Sequence, residues 1–364
     1  MTSDPGLAGW LQLTLTPGLG AATLRGLLQK FGLPENVLAA GRTELARHAG
    51  AEVLQALDSA AVAGAVERAL AWLERPGHSI VTLADAAYPR LLLEIPDPPA
   101  LLYCRGRAEL LGRPALAVVG SRNATAQGAS NAELFARAFS AAGLTIISGL
   151  AQGIDAAAHR GGLAADGSTI AVLGTGVDNV YPKTNAALAE DIAARGLLVS
   201  EFPLGTQALA HHFPRRNRLI SGLAQGCLVI EAALGSGSLI TARSAAEQGR
   251  EVFAVPGSIH SPLSKGCHAL IKSGAKLAES AEDVLSELAS FRRTGFASTR
   301  APAGARAAGG DEPLLECMGF DPVDVDSLCA RAGLPAERVS TDLLRLELAG
   351  RVAVLPGGLY QRLN

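Results

Sequence analysis

Aromatic side chains are scarce in this sequence, only 4% of 364 residues, so a repeated platform stacking one base after another is not expected. Cysteine is scarce too. The five (Cys104, Cys227, Cys267, Cys317 and Cys329) form no C-x-x-C pair, and their odd number suits a reducing compartment better than a disulfide framework. No uninterrupted apolar run approaches the ~20 residues of a membrane span. The segment MTSDPGLAGW lacks the basic and apolar regions of a secretory signal. These absences lead us to expect a soluble, cytoplasmic protein. No charge of one sign dominates: Lys+Arg 32 against Asp+Glu 34 leaves a net charge of −2. That excludes a polycation coating nucleic acid wholesale and leaves open a local basic patch. Lysine is rare (Lys30, Lys183, Lys265, Lys272 and Lys276), so arginine carries nearly all the positive charge.

What is present can fold. Apolar residues make up 48% and charged residues 18%, and the length suits two or three domains. Residues 1 to about 84 place Leu, Ala and Val at helical spacing, as in ATLRGLLQKF and SAAVAGAVERALAWLE, and predict a small helical domain. Within it, TPGLGAATLRGLLQKFG reads either as a helix-hairpin-helix (SAM-like) element, whose helix start can hold a phosphate, or as an ordinary turn in a bundle. Residues 85–112 carry Pro89, Pro96, Pro98 and Pro99, which forbid a long helix, and read as an extended connector.

From 113 to about 290, apolar strands such as PALAVVG, LTIISG, STIAVLG, LLVSEFP, CLVIEA and EVFAVPG alternate with helical segments. That alternation predicts an α/β domain: a Rossmann-like, doubly wound parallel sheet covered on both faces. Residues 291–311 are rich in Ala, Gly, Pro and Arg and read as a flexible linker. Residues 312–364 predict a C-terminal winged helix: a helix over VDVDSLCARAG, a turn over LPAER, a helix over VSTDLLRLELAG and a hairpin about Pro356-Gly357-Gly358.

Ligands of an open parallel sheet bind at the carboxyl ends of its strands. Here those ends carry Gly120-Ser121-Arg122, Ser148-Gly149-Leu150-Ala151-Gln152-Gly153, Gly174-Thr175-Gly176 with Tyr181-Pro182-Lys183 beyond, Phe213-Pro214-Arg215-Arg216-Asn217-Arg218, and Gly235-Ser236-Gly237-Ser238. Glycine admits a backbone close to phosphate, and Arg122, Lys183 and Arg216–Arg218 bring cations to the same edge. The first loop, GSRNAT, is not G-x-G-x-x-G, which disfavours NAD, and no P-loop is present, which disfavours ATP hydrolysis. No cofactor is expected.

His211-His212 lacks partners at metal spacing, so no metal is expected. Asp155 and His159, four apart on one helix, could form a general base but read better as a helix-start cap with a satisfied histidine. Acidic and basic residues balance over 113–290, whereas 213–218 holds three arginines and no acid, a pattern that suits a chain of phosphates better than one mononucleotide. Over 313–364, seven acidic residues outnumber five basic ones, which favours protein contact over groove reading.

Taken in order, DPPALLYCRG, VVGSR, SGLAQGIDAAAH, AVLGTGVDNVYP, SEFPLG, HFPRRNRLISGL, EAALGSGSLITARSAAEQGREVFAVPG and KGCHALIKSGA resemble the DprA (DNA-processing protein A) family, also called Smf. The resemblance spans about 85–290. It implies a non-enzymatic protein of natural transformation that binds single-stranded DNA, protects incoming strands, loads RecA onto them and displaces single-strand-binding protein. It also implies a homodimer formed through the Rossmann-like domain. On the matching positions, Arg122, Lys183, Phe213, Arg216, Asn217 and Arg218 are nucleic-acid contacts, and Ser121, Gly149 and Gly153 supply backbone or hydroxyl contacts. Ala210 stands where some relatives carry lysine. Two rivals predict different behaviour. A nucleotide hydrolase would need a P-G-G-x-G-T loop and a glutamate, where this chain has GSGSLITA after Glu231. A winged-helix regulator would bind specific duplex DNA.

Overall fold

The computed structural model describes residues 5–288 and 313–363. The expected linker 291–311 lies outside them. Helices succeed one another from Pro5 to Leu73, and the Pro17–Gly20 break separates the helices Pro5–Leu15 and Ala21–Phe31. A nine-stranded sheet follows, built from β1 (His78–Thr82), β2 (Leu101–Gly106), β3 (Ala115–Gly120), β4 (Thr145–Ser148), β5 (Thr169–Val172), β6 (Leu197–Ser200), β7 (Gly226–Ile230), β8 (Glu251–Ala254) and β9 (Lys276–Leu277). Their order is β1-β2-β6-β5-β4-β3-β7-β8-β9.

From β6 to β9 every neighbouring pair is parallel, and β3 to β7 are almost wholly buried, as uninterrupted apolar strands require. The doubly wound reading therefore stands for the centre of the sheet. The edge is different. β2 pairs antiparallel with β6, and β1 antiparallel with β2, which makes the sheet mixed. Both edge strands fall outside the 113–290 span expected to hold the sheet. The prolines at 96, 98 and 99 stop short of ALLYCRG, whose amides are free to pair, so the connector supplies a strand. The helical segment likewise ends before His78.

The N-terminal helices share apolar packing with this edge. Trp10, Leu24 and Trp72 belong to one buried cluster with Leu101, Tyr103 and Leu198, and the rings of Trp72 and Tyr103 meet edge to face at 5.9 Å. Arg25 pairs with Asp97 across the same seam.

The C-terminal segment has helices Pro313–Met318, Val325–Ala332 and Ala336–Leu348, then β11 (Val352–Leu355) and β12 (Leu359–Arg362), with a short β10 (Val323–Asp324) completing a three-stranded sheet. The order is that of a winged helix. The longest of these helices starts at Ala336, inside the expected turn, directly after Pro335, which is itself extended and whose fixed φ suits the entry to a helix.

Candidate nucleic-acid interface

The chain winds from β3 through β4 and β5 to β6 on one side, then crosses back to β7 on the other side of β3. Loops leaving β3 and β7 therefore diverge, and the crevice between them is the topological switch point. A cavity of about 750 Å³ opens there, lined by Ser121, Arg122, Asn123, Phe213, Asn217, Ser236 and Ser238 among others.

The loop after β3 is held at several backbone points. Ser121 donates its N–H to the carbonyl of Glu231 (2.7 Å) and accepts from the Ile154 N–H (3.1 Å), while its hydroxyl accepts from the Asn123 N–H (3.1 Å). Gly153 has φ +72°, and a Cβ there would press into the carbonyls of Ser121 and Arg122. The two glycine-bearing loops therefore nest against each other, leaving Arg122 exposed at the tip.

Beneath them lies a buried polar layer. Asp155 accepts the N–H groups of Gly149 (3.1 Å) and Ala151 (3.3 Å). Arg216, 4% exposed, donates to the carbonyls of Gly149 (2.7 Å) and Val172. Both backbone groups of Gly149 are thus engaged inside the protein, and a Cβ on it would run into the guanidinium. Burial pushes Asp155 above the usual carboxylate range and Arg216 down to about 10, while each charge partly stabilises the other.

His159 is fully buried. Its Nε2 accepts from the Leu150 N–H (3.3 Å), and its Nδ1 lies 2.7 Å from the Thr169 hydroxyl, which itself donates to the Ile146 carbonyl. The ring is therefore the neutral Nδ1–H tautomer, a helix-packed histidine rather than a base facing substrate. Burial, with the nearby Arg216 and Arg160 charges, holds it down at about 3.

That shift has a sign. The unfolded ring takes up a proton near its ordinary value of about 6.5 and the folded ring does not, so this contribution to stability is complete above pH 6.5 and is lost as pH falls toward 3. We expect unfolding free energy, followed by urea titration from pH 6.5 to 5, to fall on acidification. In His159→Asn that slope should be shallower by up to about 1.4 kcal/mol per pH unit. An unchanged slope would refute the assignment.

The rim carries the exposed chemistry. Tyr181 (49% exposed) and Phe213 face each other with ring centres 5.6 Å apart, and the Arg122 guanidinium lies 5.9 Å over Phe213. Lys183, exposed, opens the short turn Lys183–Asn185, which is tied to the neighbouring loop. Asn185 donates to the carbonyls of Leu150 (2.9 Å) and Ala151 (3.1 Å), and Gln152 to the Thr184 hydroxyl (3.1 Å). Neither Arg122 nor Lys183 has an acidic partner among the described residues.

The expected residues thus fall into two groups. Arg122, Phe213 and Asn217 line the cavity, and Lys183 is exposed two residues beyond Tyr181, which lines it as well. Arg216 and Arg218, expected alongside Arg122 as surface cations, are engaged by protein partners. Arg216 also lines the cavity, but it is buried and its guanidinium is taken up by the carbonyls of Gly149 and Val172. Arg218 pairs with Glu201 and reaches the Asp97 carbonyl, and Arg215 bonds the same Glu201 at 3.2 Å. Ser121, Gly149 and Gly153 shape the loops. Sequence reasoning missed Tyr181, although it stands two residues before Lys183. Glu231, where a hydrolase would keep its catalytic acid, accepts from the N–H of Thr125 (2.8 Å) and from its hydroxyl (2.5 Å).

Among the described residues no helix is long and apolar enough to cross a membrane, and no three His, Cys, Asp or Glu side chains gather as metal ligands. Cys104, Cys227 and Cys267 are buried free thiols, and desolvation raises all three.

Comparison with known proteins bears on this site. The family described as DNA recombination-mediator protein A matches residues 79–289, and the DprA winged helix domain matches residues 298–358. Protein Smf of Escherichia coli is 45% identical over 307 residues, 82% of this chain and 81% of that protein. DNA processing protein DprA of Streptococcus pneumoniae is 50% identical over 212 residues, 58% of this chain and 74% of that protein. The X-ray structure of DNA processing protein A from Streptococcus pneumoniae superposes with a TM-score of 0.67 and 40% identity, covering 79% of this chain and 99% of that one. A structure of the Helicobacter pylori protein, solved for its unique single-stranded DNA binding mode, superposes with a TM-score of 0.53 and 29% identity over 58% of this chain and 96% of that one.

Proposed function

The chain belongs to the DNA processing protein A family, and from that premise we propose that it binds single-stranded DNA along the carboxyl edge of its sheet, as a recombination mediator in natural transformation. One observation carries the reading. Arg122 and Lys183, exposed and without acidic partners among the described residues, sit on interlocked loops around the Tyr181–Phe213 pair. Two cations at a rim neutralise backbone phosphates without regard to sequence. The aromatic pair offers a face to an unpaired base, and a base stacked inside a duplex has none to present. Asn217 adds a polar donor in the cavity wall. Ser121, Gly149, Gly153, Arg216 and Arg218 hold these groups in place from beneath.

The same reading extends to partners. Bound strands are protected, single-strand-binding protein is displaced and RecA is loaded, by a homodimer joined through the Rossmann-like domain and with no chemical step. The acidic excess of the winged helix supports contact with protein rather than with a DNA groove.

Equilibrium titration of the full chain with a labelled single strand and with its duplex, over a range of salt, tests the first part. We expect the single strand to bind at least about tenfold tighter, with log K falling by roughly 0.7 per phosphate neutralised for each decade of salt. Equal or tighter duplex binding would sink the proposal. RecA assembly on strands pre-coated with single-strand-binding protein tests the mediator role, and no acceleration by this protein would remove it.

A further inference from the structure

Among the described residues, three non-glycine positions have left-handed backbone: Leu150, Ser168 and Glu231. Such a conformation is costly and persists where surrounding contacts over-determine it. Glu231, at φ +51°, directly follows β7. From this position its carbonyl accepts the Ser121 N–H (2.7 Å), while its carboxylate accepts the Thr125 N–H (2.8 Å) and hydroxyl. One residue therefore grips both ends of the five-residue arch Ser121–Thr125, and Arg122 stands on that arch.

The grip continues into the next helix. The Thr125 hydroxyl caps the helix Ala126–Ala141 by accepting the Gly128 N–H (2.9 Å), and the Glu231 carboxylate brings negative charge to the same helix start. Gly128 leaves the space this needs: a Cβ there would overlap the carboxylate.

We propose that Glu231 is a positioning residue for single-stranded DNA, a clamp that sets the attitude of Arg122 without touching the strand. This rests on the binding reading above. Ser121 anchors one end through its backbone, so substituting that residue would leave the hydrogen bond intact. The carboxylate end is the part mutation can release. Glu231→Gln puts an amide where two donors converge, so at most one is satisfied. Gly128→Ala displaces the same carboxylate while leaving Glu231 in place and favouring the helix.

The test measures single-strand affinity, its salt slope and the melting temperature for the full chain, Glu231→Gln, Gly128→Ala, Arg122→Ala, and Arg122→Ala combined with each of the other two. We expect Glu231→Gln and Gly128→Ala to bind about tenfold more weakly at moderate salt and to lose about 0.7 from the salt slope, one phosphate's share. In the Arg122→Ala background neither should weaken binding further, because the group being positioned is gone. Wild-type affinity in Glu231→Gln alongside weak Arg122→Ala would overturn the clamp and leave the binding reading standing. Additive losses in the double variants would overturn it as well. Wild-type binding by Arg122→Ala would remove the binding reading itself. A melting temperature that falls in step with affinity in both variants would reduce Glu231 to a structural residue.

Discussion

Replacing Arg122 and Lys183 together with alanine is expected to abolish tight binding to a single-stranded oligonucleotide and to leave the melting transition in place. Both side chains are exposed, and no acidic group among the described residues depends on either for its partner. Their removal therefore uncovers no buried charge, and exposed substitutions of this kind usually change stability by less than about 0.5 kcal/mol. The effect on binding is larger. A hydrogen bond to a charged group is worth about 1.5–3 kcal/mol, so losing two should weaken binding by a hundredfold or more. The salt dependence should also become shallower by about 1.4, two phosphates' share on a single strand. Fluorescence anisotropy across salt concentrations checks both numbers, and normal binding by the double variant would show that the strand lies elsewhere.

Arg216 is expected to behave in the opposite way. Its guanidinium satisfies the carbonyls of Gly149 and Val172 and stands near the buried Asp155 carboxylate. Arg216→Met leaves those carbonyls unpaired and the carboxylate without its cation. Breaking a buried charge pair from one side costs about 3–5 kcal/mol, which corresponds to a fall of about 10 °C or more in melting temperature for a domain of this size. DNA binding should be lost as well, through collapse of the loop that carries Gly149 and not through a missing contact. Calorimetry separates the cases: Arg122→Ala binds poorly and melts normally, whereas Arg216→Met does both badly. Arg216→Lys keeps the charge but cannot span two carbonyls and should fall between. Adding Asp155→Asn to Arg216→Met should recover part of the stability, since the uncompensated carboxylate is then gone. A variant at 216 that melts like the wild type would refute the buried role.

The contrast between these arginines marks what was legible. R-R-N-R over 215–218 reads as a run of cations, and nothing in its composition says which way each one points. A helix places successive residues about 100° apart, so the run is divided between faces: Arg215 and Arg218, three apart, share Glu201, while Arg216 turns to the carbonyls of Gly149 and Val172. Asp155 and His159 were better guides. Their spacing at a helix start after a glycine loop indicated a cap and a satisfied ring; the ring is satisfied, whereas the Asp155 carboxylate holds the loop N–H groups of Gly149 and Ala151 and does not cap the helix. Tyr181 escaped notice because low aromatic content argues against a repeated platform, and a single pair is enough for one base.

Local pattern by itself determined a good deal. Continuous apolar strands alternating with helices led to the doubly wound sheet, the order of helices and hairpin led to the winged helix, and glycine and serine at the strand ends pointed to the carboxyl edge, where the proposed site lies. These follow from short-range rules that any segment obeys alone. Tertiary structure decided the rest: that β1 and β2 extend the sheet antiparallel, that the crevice opens between the loops of β3 and β7, which of five strand-end loops interlock, and which arginines remain in water. Each depends on contacts between residues tens of positions apart. Burial turns a cation from a ligand for phosphate into a brace for carbonyls, and only the packed chain determines burial.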